Sequence, residues 1–142
     1  MSNSMSVFVN KAKLPSVDEL RNEVEKMGLK LEEWDEQLVD IEGYWPGEYK
    51  SQEAGFEFGV EEIDEDIKAD LEDWEVNLDD LGDRDYLIDL VFREEIDVDA
   101  CVICIVALCK LSDAISFDED EELNVNSETC IKWAKEEMGV EI

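Results

Sequence analysis

Apolar positions change their spacing several times along the chain, and each change marks an element. Ser6-Val-Phe-Val-Asn10 is a short β-type run. Val17, Leu20, Val24 and Met27 then recur at helical spacing, with Ser16 as N-cap, Glu19 at the capping-box position and Gly28 as the stop. Leu29 to Trp34 alternates like a half-buried strand. Gln37 to Val60, rich in glycine and aromatics, reads as strands or an irregular hairpin turning at Pro46-Gly47.

Between Asp64 and Leu81, Ile67, Leu71, Trp74, Leu78 and Leu81 form one apolar stripe, which predicts a single helix ended by Gly82. Tyr86 to Phe92 has few polar interruptions and predicts a central strand. Asp97 or Asp99 is placed to cap a helix running to about Leu111. Ala114-Ile-Ser-Phe117 is a strand, 118–122 an exposed turn and Leu123-Asn-Val125 a further strand. Ser127 caps a last helix that packs Ile131, Trp133, Ala134 and Met138.

The order β-α-β-(β-β)-α-β-α-β-α predicts an α+β fold: a mainly antiparallel sheet of about five or six strands, with helices on one face. The two β-α-β pieces can form split, ferredoxin-like halves. No Gly-, Ser- or Pro-rich linker divides the 142 residues, so one domain over 1–142 is expected.

Charge changes the picture more than any motif. There are 41 acidic residues against 12 basic ones and no histidine, for a formal net charge of −29. A field of that sign repels phosphates, so no nucleic acid is expected as a partner. Without histidine, every imidazole-based catalytic scheme is excluded. Carboxylate pairs are too abundant to single any out as acid and base, and no phosphate-binding glycine loop occurs, so the chain is not expected to be an enzyme. The longest apolar run, Ala100 to Leu108, is about half of what a bilayer span needs, and 1–9 lack the basic and apolar regions of a leader. No membrane is expected as a partner, and cytoplasmic residence is the default.

No cofactor or metal is expected. Cys101-x-x-Cys104 lacks a second ligand pair of the right kind, and its Val, Ile, Leu and Ala neighbours read as the core face of a helix. Aligning Asp64, Asp66, Lys68, Asp70, Glu72 and Glu75 on a calcium loop leaves lysine at position five and Ala69 where glycine is required.

The acids concentrate in the middle of the chain, with nine of them and one lysine between Asp64 and Leu81. As a helix of about 27 Å, that segment carries roughly one net charge per 3.4 Å, close to the phosphate spacing of one DNA strand. A solvated face that aids solubility, or halophilic adaptation, is the plain alternative. However, solubility needs a net charge of only about 2–8. The candidate partner-binding residues are Glu61, Glu62, Asp64, Glu65, Asp66, Asp70, Glu72, Asp73, Asp79 and Asp80, with Tyr44 and Trp45 as aromatic anchors.

The chain also resembles a family. Val7-Phe-Val-Asn-Lys-Ala-Lys-Leu-Pro15, Tyr49-Lys-Ser-Gln-Glu-Ala-Gly-Phe-Glu-Phe58 and the run from Gly82-Asp-Arg-Asp-Tyr86 through Arg93 to Ala107–Asp118 are similar to bacterial immunity proteins encoded beside polymorphic or secreted antibacterial toxins. These are small, acidic, cytoplasmic and α+β. The resemblance implies stoichiometric inhibition of one cognate toxin and supplies no catalytic residue. The expectation is an acidic inhibitor that occludes a cationic toxin, such as a nuclease with a basic cleft. The other reading of the same physics is a nucleic-acid mimic directed at a DNA-binding or defence enzyme.

Overall fold

Ser16 starts the first helix by the reciprocal bonds its spacing requires. Its hydroxyl accepts the Glu19 N–H and the Glu19 carboxylate accepts the Ser16 N–H, both at 3.1 Å, so α1 runs Val17–Glu25. The structure is a computed structural model describing residues 3–118 and 120–142. The strands are β1 Ser4–Val9, β2 Leu29–Leu31, β3 Gly43–Trp45, β4 Gly47–Tyr49, β5 Gln52–Glu53, β6 Phe56–Glu62, β7 Tyr86–Val91 and β8 Ile115–Ser116. The further helices are α2 Glu65–Asp73, α3 Glu95–Ser112 and α4 Cys130–Lys132, the last continuing as a π turn, Trp133–Glu137.

The fold is α+β. One sheet has five strands in the order β3-β6-β7-β1-β8, and a second has β2-β4-β5. Every ladder between these strands is antiparallel, including both that β1 makes. A ferredoxin-like pair of split halves would place parallel strands side by side, so that expectation is corrected. Pro46 carries the chain from one sheet to the other instead of turning a hairpin.

Strand alternation sorts the large sheet into two faces. Val7, Val9, Phe56, Phe58, Ile88 and Leu90 lie in the larger core with α3, whose residues from Ala100 to Cys109 are wholly buried. α1 packs on α3 from the far side. Phe8, Leu87 and Ile115 join a second, smaller core with Ile63, Leu71 and Leu81. Helical segments therefore cover both faces of the sheet, not one. On the outer face the smaller core lies along the Phe8–Leu87 row. The row Gly59–Asp89–Ser6 and the row Tyr44–Glu57–Val91–Ser4 lie beyond it.

Several expected boundaries move. The 18-residue helix over 64–81 is broken: α2 stops at Asp73, and Leu78–Leu81 forms a separate 3-10 turn. Glu75 adopts φ +64°, its N–H donates to the Glu72 carbonyl and the Val76 N–H to the Leu71 carbonyl. That is a Schellman stop with glutamate in the position glycine usually takes. Asp97 is not the cap of α3 but lies in its first turn; Glu94 is the N-cap. Strand β2 ends at Leu31, and of Leu123–Val125 only Val125 bridges, to Ser116. Ser127 does not cap the last helix, since Thr129 occupies that position.

Candidate protein-binding surface

α2 owes its shape to a cap and two apolar residues. Asp64 accepts the Ile67 N–H at 2.9 Å, and Glu65 and Asp66 in the first turn suit the positive end of the helix dipole. Ile67 and Leu71 turn toward the smaller core. Apart from Lys68 and Ala69, the exposed residues of α2 are carboxylates. Glu61, Glu62, Asp64, Glu65, Asp66, Asp70, Glu72, Asp73, Asp79 and Asp80 are all exposed, as is Glu75.

Almost none of this charge is neutralised within the chain. Among the described residues there are eight ion pairs, and only Lys68–Glu65, at 3.6 Å, falls on this segment. Asp70, Glu72 and Asp73 crowd the half of α2 where the dipole disfavours anions. Three of the basic residues, Arg21 on α1, Lys26 at its C-cap and Lys30 on β2, belong to the layer beyond α3, across the sheet from α2.

Trp74 stands at the end of α2 and is 64% exposed, the most exposed large hydrophobic residue described. Sequence periodicity assigned it to the buried stripe. The left-handed Glu75 ends the helix there instead, so Trp74 is presented to solvent between Asp73 and Glu75.

The two expected anchors separate. Trp45 is wholly buried, its indole N–H donating to the Glu32 carbonyl at 2.8 Å and its ring edge-on to Phe58. It is core and unavailable to a partner. Tyr44 is 37% exposed and pairs with Glu57 across the ladder. The Arg93 guanidinium lies 5.9 Å from its ring centre and bonds Glu57 at 2.7 Å. Burial, then Asp97 and Glu53, raise the Tyr44 hydroxyl above the ordinary tyrosine range. Three ladders, about 14 Å, separate Tyr44 from Ser4 at the other side of the sheet.

A cavity of about 630 Å³ opens beside Trp74, where β1, residues 116–118, Glu121 and the C-terminal helical turns meet. Trp74, Phe117, Trp133 and Met138 line it, with the carboxylates of Asp118 and Glu121. Burial would raise Asp118, but N–H donors from Glu122 and Asp120 and the Asn124 amide outweigh it and hold the group below the usual carboxylate range. Nearby on the outer face, desolvation raises Asp89, partly offset by the Ser6 hydroxyl bonded to it at 3.1 Å.

The four cysteines are free and buried. Burial pushes Cys104 up to about 12, and pushes Cys101 up as well, helped by Cys104 and Asp97. A hydrogen bond between their thiol groups raises Cys109 and lowers Cys130, the latter to about 7. Among the described residues no group of His, Cys, Asp or Glu is arranged to hold a metal ion, and no helix is long and apolar enough to cross a membrane. No family model, curated protein or solved structure matches the chain.

Proposed function

We propose that the chain is an acidic, immunity-type inhibitor that binds a cationic toxin protein, such as a nuclease whose cleft is basic, and occludes it. The observation that carries this reading is the surface of α2 and the following 3-10 turn. There, counting the Asp64 cap, eight of the ten candidate carboxylates are exposed, one has an ion-pair partner, and Trp74 projects among them. Like charges at three- and four-residue spacing on α2 cost a few tenths of a kcal/mol per pair. An unneutralised arrangement of that kind is compensated when a positively charged protein docks, and opposite fields accelerate the encounter. Trp74 takes over the anchoring role that Trp45, being buried, does not fill.

The mimic of a nucleic-acid strand loses its best geometric support. Nine residues of α2 span about 14 Å, half the length on which the phosphate comparison rested.

Capture from a native lysate tests the reading. The wild-type chain is expected to retain one cationic protein, at one-to-one stoichiometry and with loss of that protein's toxicity. The triple variant Asp66→Asn, Asp70→Asn, Asp73→Asn is expected to lose it. Retention of many unrelated DNA-binding proteins would favour mimicry, and capture unaffected by the triple variant would contradict the role of α2.

A further inference from the structure

We propose that the cavity beside Trp74 receives the side chain of an arginine or lysine carried on an exposed segment of the partner. This rests on the proposed function for the existence of a cationic partner, and adds where that partner is gripped and by which residue type.

Three features of the cavity point to the same ligand chemistry. Its walls include Phe117, Trp133 and Met138, which suit the aliphatic stem of a long side chain. The carboxylates of Asp118 and Glu121 belong to the same lining, and no lysine or arginine does. Neither carboxylate has an ion-pair partner among the described residues. The Trp74 indole, free of packing over most of its surface, offers a face on which a guanidinium or ammonium group can rest.

Trp133 forms an inner wall of the cavity, only 5% exposed. An apolar stem leading to a cationic head describes a long basic side chain. A purely apolar ligand would strip water from two carboxylates without replacing it. An anion would be repelled by both.

The test uses the whole chain with N-acetyl-arginine N-methylamide as probe and N-acetyl-norleucine N-methylamide as the uncharged control. Indole N–H resonances are followed by nitrogen-proton correlation spectra. The arginine probe is expected to shift the Trp74 and Trp133 signals saturably, and the norleucine probe is not. Trp74→Ala and Glu121→Gln alter exposed residues, and each is expected to weaken the arginine probe about fivefold, the size of a solvent-facing cation–π or charge contact. Equal response to norleucine, or affinity unchanged in both variants, overturns the proposal. The Asp66→Asn, Asp70→Asn, Asp73→Asn variant separates it from the broader reading, because those residues lie outside the cavity. If capture of a cationic protein persists while the probe fails, the cavity assignment alone falls. If the probe binds while capture fails, the cavity stands as a cation site and the inhibitor reading falls.

Discussion

The Asp97 carboxylate accepts the buried Gly55 N–H at 3.1 Å, across 42 residues of sequence. Its other oxygen accepts the N–H groups of Arg93, at 3.3 Å, and Glu94, at 3.1 Å. One side chain thus ties the start of α3 to the segment entering β6. Position 55 has no room for a side chain, since a Cβ there would lie 2.3 Å from the Trp45 carbonyl oxygen. Asp97→Ala leaves three backbone donors without their acceptor, at least one of them buried, and is expected to cost about 3 kcal/mol. Urea unfolding checks it, and a loss below about 1 kcal/mol would contradict the role.

Glu75 holds a left-handed conformation that costs a non-glycine residue about 1–2 kcal/mol. Part of that cost is offset because glutamate is less flexible than glycine in the unfolded chain and loses less entropy on folding. Glu75→Gly is therefore expected to stabilise the protein by about 0.5–1 kcal/mol, read as a raised urea midpoint at unchanged slope. Destabilisation would show that the glutamate side chain contributes something beyond the Schellman stop.

The repulsion among carboxylates makes the response to salt diagnostic. Going from about 0.05 to about 0.5 M sodium chloride shortens the screening length from about 13 to about 4 Å. With a net charge of −29 and few internal ion pairs, Tm is expected to rise by several degrees. A fall would mean that attractive pairs outweigh the repulsion.

Buried thiols give a limb on the alkaline side. Cys101 and Cys104 stay protonated in the fold above the pH at which the unfolded chain releases their protons. The folded state then binds more protons, so stability is full below about pH 9 and declines as pH rises further, by up to about 1.4 kcal/mol per pH unit for each thiol. Cys130, lowered to about 7, acts in the opposite sense between about 7 and 9, where it adds stability as pH rises. Replacing Cys101 and Cys104 by alanine lowers overall stability but is expected to flatten the decline above pH 9. An unchanged slope would contradict the shifts.

Where local rules act alone, the sequence is readable. The Ser16–Glu19 capping box and the central position of β7 appear as their patterns require. Boundaries shift where tertiary contacts choose between equivalent residues. Glu94, Glu95, Asp97 and Asp99 all suit a helix start, and the Gly55 N–H decides which carboxylate is buried. The break after α2 has no glycine to announce it, so Trp74 keeps helical spacing in the sequence while leaving the stripe in space. Trp45 was recoverable, because alternation along β3 sends Tyr44 and Trp45 to opposite faces and only one of the two can be exposed. The cavity was not, since its walls come from β1, Trp74, α3, residues 116–118, Glu121 and the C-terminal turns.

The most direct test of the anionic docking surface is the salt dependence of association with the cationic protein that the chain captures. Stopped-flow mixing of the wild type and the Asp66→Asn, Asp70→Asn, Asp73→Asn variant gives both rate constants. The association rate of the wild type is expected to fall at least about tenfold between low and high salt, with a nearly constant dissociation rate, and the variant's dependence should be markedly flatter. Equal slopes for the two proteins, or no captured cationic protein at all, would contradict the account.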